Sequence, residues 1–372
     1  MSFAFSFLVA CWMLCTPPSV VVSVTPTPRL EFPVDNLGPV HLVSLVKNKT
    51  VVFLGDSVTR YQYLNLITLL HRSRWPDPFI TDEIVDGSVC CEASFWEAGG
   101  WRAFYNASNF VLDGNELCDC IKSGKDAIEN RHYYNPKLNT TVVFIWLGRS
   151  PAVFRPAFVE HAPFDRHCRV SDLVLERDLP MCTRDIFKKL YNNTQNLWWG
   201  ATVYTLTSSF KPDLFVINWG HHSTFYYQYP KGKQVYNEMK SAVEKLRQEG
   251  HTTRFVWKAT TPICDAPKEA PRYPNYQCRP TIVRDDPMLV GNRLVADSIF
   301  ELFDTPAIVK QLRDKAFQMI NRTRHRMSGN TPKDWFSETL PLYWDGLHPF
   351  CWVHEQFNRA LLAQIFLNMS YV

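Results

Sequence analysis

Short apolar, β-branched runs alternate along this chain with segments of helical periodicity, and that alternation limits the fold more than any other feature. Residues 50–54 (TVVFL), 141–147 (TVVFIWL), 213–218 (DLFVIN) and 254–259 (RFVWKA) each read as a buried strand. Residues 61–71 carry apolar side chains at Tyr61, Leu64, Ile67 and Leu70, and residues 234–249 carry them at Val235, Met239, Val243 and Leu246 before Gly250. Both spacings are helical. Asp286-Pro287 predicts an N-cap and first-turn pair opening a helix through Phe303, and residues 352–367 predict a last amphipathic helix. Strands that alternate with helices, with no hairpin turns between them, imply a parallel sheet covered on both faces. In such sheets the ligand site lies beyond the carboxyl ends of the strands. Ser57, after the first strand, and Asn218, after the third, are therefore expected on one rim.

The stretches between these elements divide the chain further. Residues 1–15 are almost wholly apolar, and an apolar stretch of about 14 residues suits the core of a signal peptide better than a membrane span of about 20. Residues 1–24 are read as a signal peptide cleaved near Ser23, with an uncleaved signal anchor as the alternative; a membrane is a partner only in the second case. Residues 25–42 begin Pro-rich and read as a linker. Residues 43–372 are expected to form a single catalytic domain with Cys-bearing loop insertions near 73–140 and 151–200, the first with a small hairpin around 95–111. Six N-x-S/T triplets, at Asn48, Asn106, Asn139, Asn192, Asn321 and Asn368, support passage through the secretory lumen. So do nine cysteines beyond the leader. Cys264–Cys278 and Cys168–Cys182 are the preferred bridges, and Cys90/Cys91 against Cys118/Cys120 would give two more. A zinc site built on Cys118-x-Cys120 has the wrong spacing for a CxxC knuckle, and no metal is expected. The formal net charge of +4 over 372 residues, with no dense Lys/Arg run, gives no support for a nucleic-acid partner.

Two short motifs carry the chemistry. In Gly55-Asp56-Ser57 a glycine permits a tight strand-to-helix turn, and the helix N-terminus offers unpaired N–H groups to an oxyanion. The bland alternative is that Asp56 or Ser57 merely caps the helix. Near the other end, Trp344-Asp345-Gly346-Leu347-His348 sets a carboxylate and an imidazole three residues apart. Asp345 would hold the Nδ1 side of His348 and leave Nε2 to take a serine proton; the alternative is a surface loop ended by Pro349. In Asn218-Trp219-Gly220-His221-His222 the Asn can donate to an oxyanion. The adjacent His pair points to opposite faces of an extended stretch and makes a poor chelate, so His221 is read as a groove residue.

The Gly55-Asp56-Ser57 box with Arg60 and Gln62 after it, the Asn218-x-Gly220-His221 stretch and the terminal Asp345-x-x-His348 resemble the SGNH (GDSL-like) hydrolase superfamily. Within it they look most like the PC-esterase branch, which includes the plant trichome-birefringence-like polysaccharide O-acetyltransferases and the sialic-acid O-acetyltransferases. Residues 43–54 are similar to the branch's lead-in strand, residues 141–146 to a middle strand and residues 255–262 (FVWKATTP) to its penultimate strand, so the likeness spreads over about residues 43–367. The chain departs from the pattern at Tyr61, where the branch often has Asn, and in its Trp-Asp-Gly-Leu-His-Pro ending. The resemblance implies an α/β fold of three layers, α/β/α, SGNH-hydrolase-like, with a mostly parallel central sheet. It implies Ser57 as nucleophile, His348 as general base and Asp345 as its orienter. It implies an oxyanion hole from Ser57 N–H and Asn218 with a glycine donor, Gly100 or Gly148, and substrate contacts from Arg60 and His221. No cofactor is needed. The expected reaction is acyl (acetyl) transfer through an acyl-enzyme, from an acyl donor to a carbohydrate or other hydroxyl acceptor or to water, in the secretory pathway, Golgi lumen or outside the cell. A lipid or small-ester hydrolase and a non-catalytic secreted glycan-binding protein are the alternatives.

Overall fold

The computed structural model describes residues 37–75, 112–123, 126–147, 152–154, 195–218, 229–261, 299–309, 311–312, 349 and 351–369. In chain order these form α1 (Pro39–Leu45), β1 (Thr50–Gly55), α2 (Ser57–Arg72), β2 (Glu116–Ser123), β3 (Asp126–Asn135), β4 (Thr140–Trp146), β5 (Ala152–Phe154) and β6 (Gln195–Leu197). They continue with α3 (Trp199–Phe210), β7 (Leu214–Asn218), α4 (Tyr229–Gln248), β8 (Arg254–Lys258), β9 (Glu301–Phe303) and α5 (Cys351–Leu367). Seven strands make one sheet in the order β2-β3-β4-β1-β7-β8-β9, and β5 pairs with β6 apart from it. Strands β4, β1, β7, β8 and β9 run parallel, while β2 and β3 join the β4 edge antiparallel. The fold is α/β with a mostly parallel sheet.

The apolar runs form the central strands because each can be buried on both sides. Along β1, Val51 and Phe53 enter one core with α1, α2 and α5, whereas Val52 and Leu54 enter a second with α3 and α4. Side chains two apart share a face of a strand, so one five-residue run feeds both cores. Helices thus cover both faces of the sheet. The chain leaves β1 through α2 on the first face and leaves β7 through α4 on the second, so the two central neighbours part in opposite directions at their carboxyl ends. Such a switch point opens a crevice there.

A buried chain of charges fastens α2 to the antiparallel hairpin. Arg60 Nη1 on α2 donates to Glu129 Oε2 on β3 at 3.0 Å, Arg131 Nε donates to Glu129 Oε1 at 2.6 Å, and Arg131 Nη1 donates to Glu116 Oε2 on β2 at 3.0 Å. Tyr63 OH on α2 closes the series by donating to Glu116 Oε1 at 2.9 Å. All four charged side chains are at most 1 % exposed. Two cations alternate with two anions, so no charge in the series is left uncompensated. Burial pulls the Arg131 pKa down, but the Glu116 and Glu129 carboxylates outweigh it and raise it. Burial, with the neighbouring Glu116 charge, raises the Tyr63 pKa, which keeps its proton on the hydroxyl to donate.

Several expectations are corrected. Residues 116–135 are two strands of the main sheet, not an irregular insertion; their mixed polar sequence reflects edge strands whose inward residues are the buried ions just described. Residues 199–210 form α3, which begins at the very end of the stretch 151–200 read as loop-rich and runs on through residues to which no element was assigned; Trp199, Val203 and Leu206 supply its buried stripe. Residues 301–303 are a strand paired with Val256–Lys258, not a helix end. Residues 39–45 are helical and put Leu42 in the core, inside the expected linker, so the lead-in strand begins only at Thr50. Cys118 and Cys120 are bonded to each other, not to Cys90 or Cys91. They are two apart on one strand, hence on one face, and their Cα atoms lie 5.2 Å apart, within disulfide reach. Cys351 is also disulfide-bonded. The leader, the hairpin near 95–111, the start of a helix at Asp286, and Cys90, Cys91, Cys168, Cys182, Cys264 and Cys278 lie outside the described residues. Among the described residues no helix is long and apolar enough to cross a membrane.

The ion chain sets a stability prediction. Glu129→Ala leaves two buried guanidinium groups facing each other and should cost about 3–5 kcal/mol in urea unfolding. Lys49→Ala breaks a pair whose partners are about a third exposed, Lys49 Nζ to Asp213 Oδ1 at 2.8 Å, and should cost no more than about 1 kcal/mol. Equal losses would contradict the assignment of the buried series as the main polar fastening.

Candidate active site

The turn between β1 and α2 is built by three consecutive residues. At Gly55 a Cβ would lie 2.6 Å from Thr59 Oγ1 and 2.8 Å from Thr59 Cβ, so only glycine lets the helix start this close to the strand. Asp56 follows in extended conformation and caps α2: its Oδ1 accepts from Val58 N at 3.1 Å and Thr59 N at 3.3 Å. The carboxylate also sits favourably at the positive end of the helix dipole. Ser57 is then the first residue of α2, 4 % exposed, at the carboxyl end of the central strand.

The register runs Leu54–Ile217–Trp257 across β1, β7 and β8, so the next row along the sheet holds Gly55, Asn218 and Lys258. Ser57 and Asn218 therefore share the rim, as expected from the strand order. Asn218 is 2 % exposed, and its Nδ2 donates to Lys258 O at 3.0 Å and to Thr260 Oγ1 at 3.3 Å. In this structure its amide protons tie β7 to β8, and service to an oxyanion would require giving one of them up. Arg60, expected to touch substrate, is in the core: it is 1 % exposed, paired with Glu129, and its Nη2 donates to Tyr61 OH at 2.7 Å. Asp345, His348, His221, Gly100 and Gly148 lie outside the described residues. The helix that follows the Asp345–His348 segment is nonetheless placed: α5 packs on α2, with Asn358 Nδ2 donating to Gln62 O and Asn65 Oδ1, each at 3.0 Å. Asn65 Nδ2 in turn donates to Cys351 O at 3.3 Å. The first turn of α5 is thereby fastened to α2 only a few residues after His348.

Two features of the rim escaped sequence reading. One is Lys258, fully buried at the end of β8; a lysine closing the apolar run Phe255–Trp257 was the available signal. The other is an open groove of about 710 Å³ between the start of α3 and the first half of α4, lined by Trp198, Gln234, Asn237 and Ser241 among others. Helix α3 runs into β7 and α4 runs out of it, so the start of each lies at the carboxyl end of the sheet, the same end as Ser57. Trp198 is 52 % exposed there. No family model and no curated protein matches the chain.

The close approach at the turn is testable. Gly55→Ala should destabilise the fold by about 1–3 kcal/mol through overpacking. Adding Thr59→Ala removes two of the three crowding atoms and should recover part of the loss in the same urea titration. A Gly55→Ala protein as stable as wild type would mean that the turn has room for a side chain.

Proposed function

We propose that the chain is a serine-dependent acyl-ester enzyme of SGNH architecture, with Ser57 as nucleophile, His348 as general base and Asp345 as its orienter. The observation that carries the reading is the position of Ser57: a serine at the head of a long helix, directly after the central parallel strand, where β1 and β7 part. A hydroxyl there faces the helix N-terminus, whose dipole favours the negative charge that forms on a carbonyl oxygen under attack. The fastening of α5 to α2 supports bringing the His348 segment to the same end of the molecule.

In this mechanism His348 takes the Ser57 proton as Oγ attacks the ester carbonyl. The tetrahedral oxyanion is held by the Ser57 N–H and by Asn218 once its amide turns from Lys258, with Gly100 or Gly148 as a third donor. Collapse expels the alcohol, which receives the proton from His348, and leaves an acyl-serine. A sugar hydroxyl or water then takes the acyl group by the reverse sequence. Carbohydrate is the favoured acceptor because an exposed indole beside side-chain amides and a hydroxyl can stack on a sugar ring and hydrogen-bond its hydroxyls. The apolar leader, the six glycosylation triplets and the Cys118–Cys120 bridge support a secretory-pathway location.

The satisfied amide of Asn218 and the near-complete burial of Ser57 favour one rival, a glycan-binding protein that keeps the fold without turnover. A fluorophosphonate probe separates the two. Wild type should label, Ser57→Ala should not, and His348→Ala should label slower by several orders of magnitude, since nucleophile and base act as a unit. Absence of labelling in a folded wild type, or labelling that persists in Ser57→Ala, would defeat the enzyme reading.

A further inference from the structure

Three of the six N-x-S/T triplets fall on described residues, at Asn48, Asn139 and Asn368. Each Asn is exposed, and each stands in the left-handed region, at φ 59°, 50° and 53°. Asn tolerates that backbone better than most residues, which accounts for the Asn. It asks nothing of the position two residues on, where the chain has Thr50, Thr141 and Ser370. The triplets also share a place in the fold. Asn48 precedes β1 and Asn139 precedes β4, two parallel strands paired Thr50 to Thr141. Asn368 follows α5, whose last turn reaches the start of β8, where Arg254 Nη1 donates to Ile365 O. All three therefore sit at the amino end of the parallel strands. Ser57 is at the carboxyl end, and β1 alone separates Thr50 from Gly55 by roughly 17 Å.

Two of the three are neighbours. Asn48 N donates to Leu138 O at 2.9 Å and Thr140 Oγ1 donates to Val46 O at 2.7 Å, which laces the two turns together. Tyr134 OH donates to Asn139 Oδ1, and Asn139 Nδ2 donates to Asn48 Oδ1, each at 3.3 Å. The fold thus orients both carboxamides at the surface. A glycosylated amide nitrogen keeps one N–H, so the link between the two side chains is compatible with modification of either.

We propose that these turns form a glycan-bearing pole, with N-linked oligosaccharides on Asn48 and Asn139 side by side and on Asn368, at the end of the molecule away from Ser57. In the transfer, the carboxamide Nδ2 attacks C1 of a lipid-diphosphate oligosaccharide. The N–C1 bond forms and the C1–O bond to phosphate breaks. The lipid diphosphate leaves with the electron pair, and the amide proton goes to a base of the host's oligosaccharyltransferase. A glycan is bulky and solubilising, and a surface turn can carry it. At this end it covers neither the Ser57 turn nor the groove at Trp198, which share the carboxyl end of the sheet. The modification rests on the reading that the chain enters the secretory lumen, and not on Ser57 as nucleophile.

The test expresses the full chain in a eukaryotic secretory host, once with its own N-terminus and once behind an added cleavable leader that enforces entry. Peptide N-glycosidase in heavy-oxygen water converts each glycan-bearing Asn to a mass-marked Asp, and peptide mapping reads the positions. Asn48, Asn139 and Asn368 should all be marked, and the double variant Asn48→Gln, Asn139→Gln should lose two glycans from the intact mass. Asn48 or Asn139 left bare in the enforced chain overturns the proposal. Marks in the enforced chain alone uphold the sites and overturn the secretory reading. Hydrogen exchange then compares the chain before and after glycan removal, a readout that needs no catalysis. Protection should change at residues 46–49, 138–141 and 366–369 and stay constant at residues 55–60. A change at residues 55–60 overturns the placing of the glycans away from Ser57.

Discussion

Residue 55 cannot carry a side chain, and much of the architecture follows from that. Because Thr59 packs within 3 Å of where a Cβ would stand, α2 begins two residues after the central strand and lies tight against the sheet. Asp56 satisfies two of the N–H groups that such an abrupt start exposes. The first helical residue is then Ser57, just past the end of the middle strand of the seven. The serine is positioned by packing and capping, before any catalytic partner is considered.

The polar interior extends the same turn outward. One turn beyond Asp56, Arg60 enters the buried ion series that runs through Glu129 and Arg131 to Glu116 and returns to α2 at Tyr63. On the opposite side, Asn65 and Gln62 receive α5 through Asn358 and Cys351. Helix α2 is thus clamped between the antiparallel hairpin and the last helix. Arg60, which the family resemblance offers to substrate, holds this clamp instead. Removing both partners of a buried pair is cheaper than removing one, which is why the series must be read as a unit.

Legibility in the sequence followed burial. Strands β1, β4, β7 and β8 lie where apolar runs of five to seven residues announced them, because strands covered on both faces need every side chain apolar. Helices α2, α4 and α5 showed their periodicity for the same reason, although α2 and α4 start earlier than their apolar spacing. Strands β2 and β3 were hidden: Glu129 and Arg131 point inward, so the pattern reads polar where the chain is buried. Strand β9 is three residues long and has no pattern to show. Of the site, Ser57 and Asn218 were placed on one rim by strand order alone. The engaged amide of Asn218 and the buried amine of Lys258 depend on register across three strands, and no single stretch of sequence contains that.

The central claim is that the early serine and the late histidine meet. A crystal structure of the chain trapped with a fluorophosphonate measures this directly. The account predicts phosphorus bonded to Ser57 Oγ and His348 Nε2 about 2.6–3.2 Å from that oxygen or from the leaving-group position. Phosphorus on another residue, or a His348 ring held away from Ser57 with a different group in its place, would contradict it.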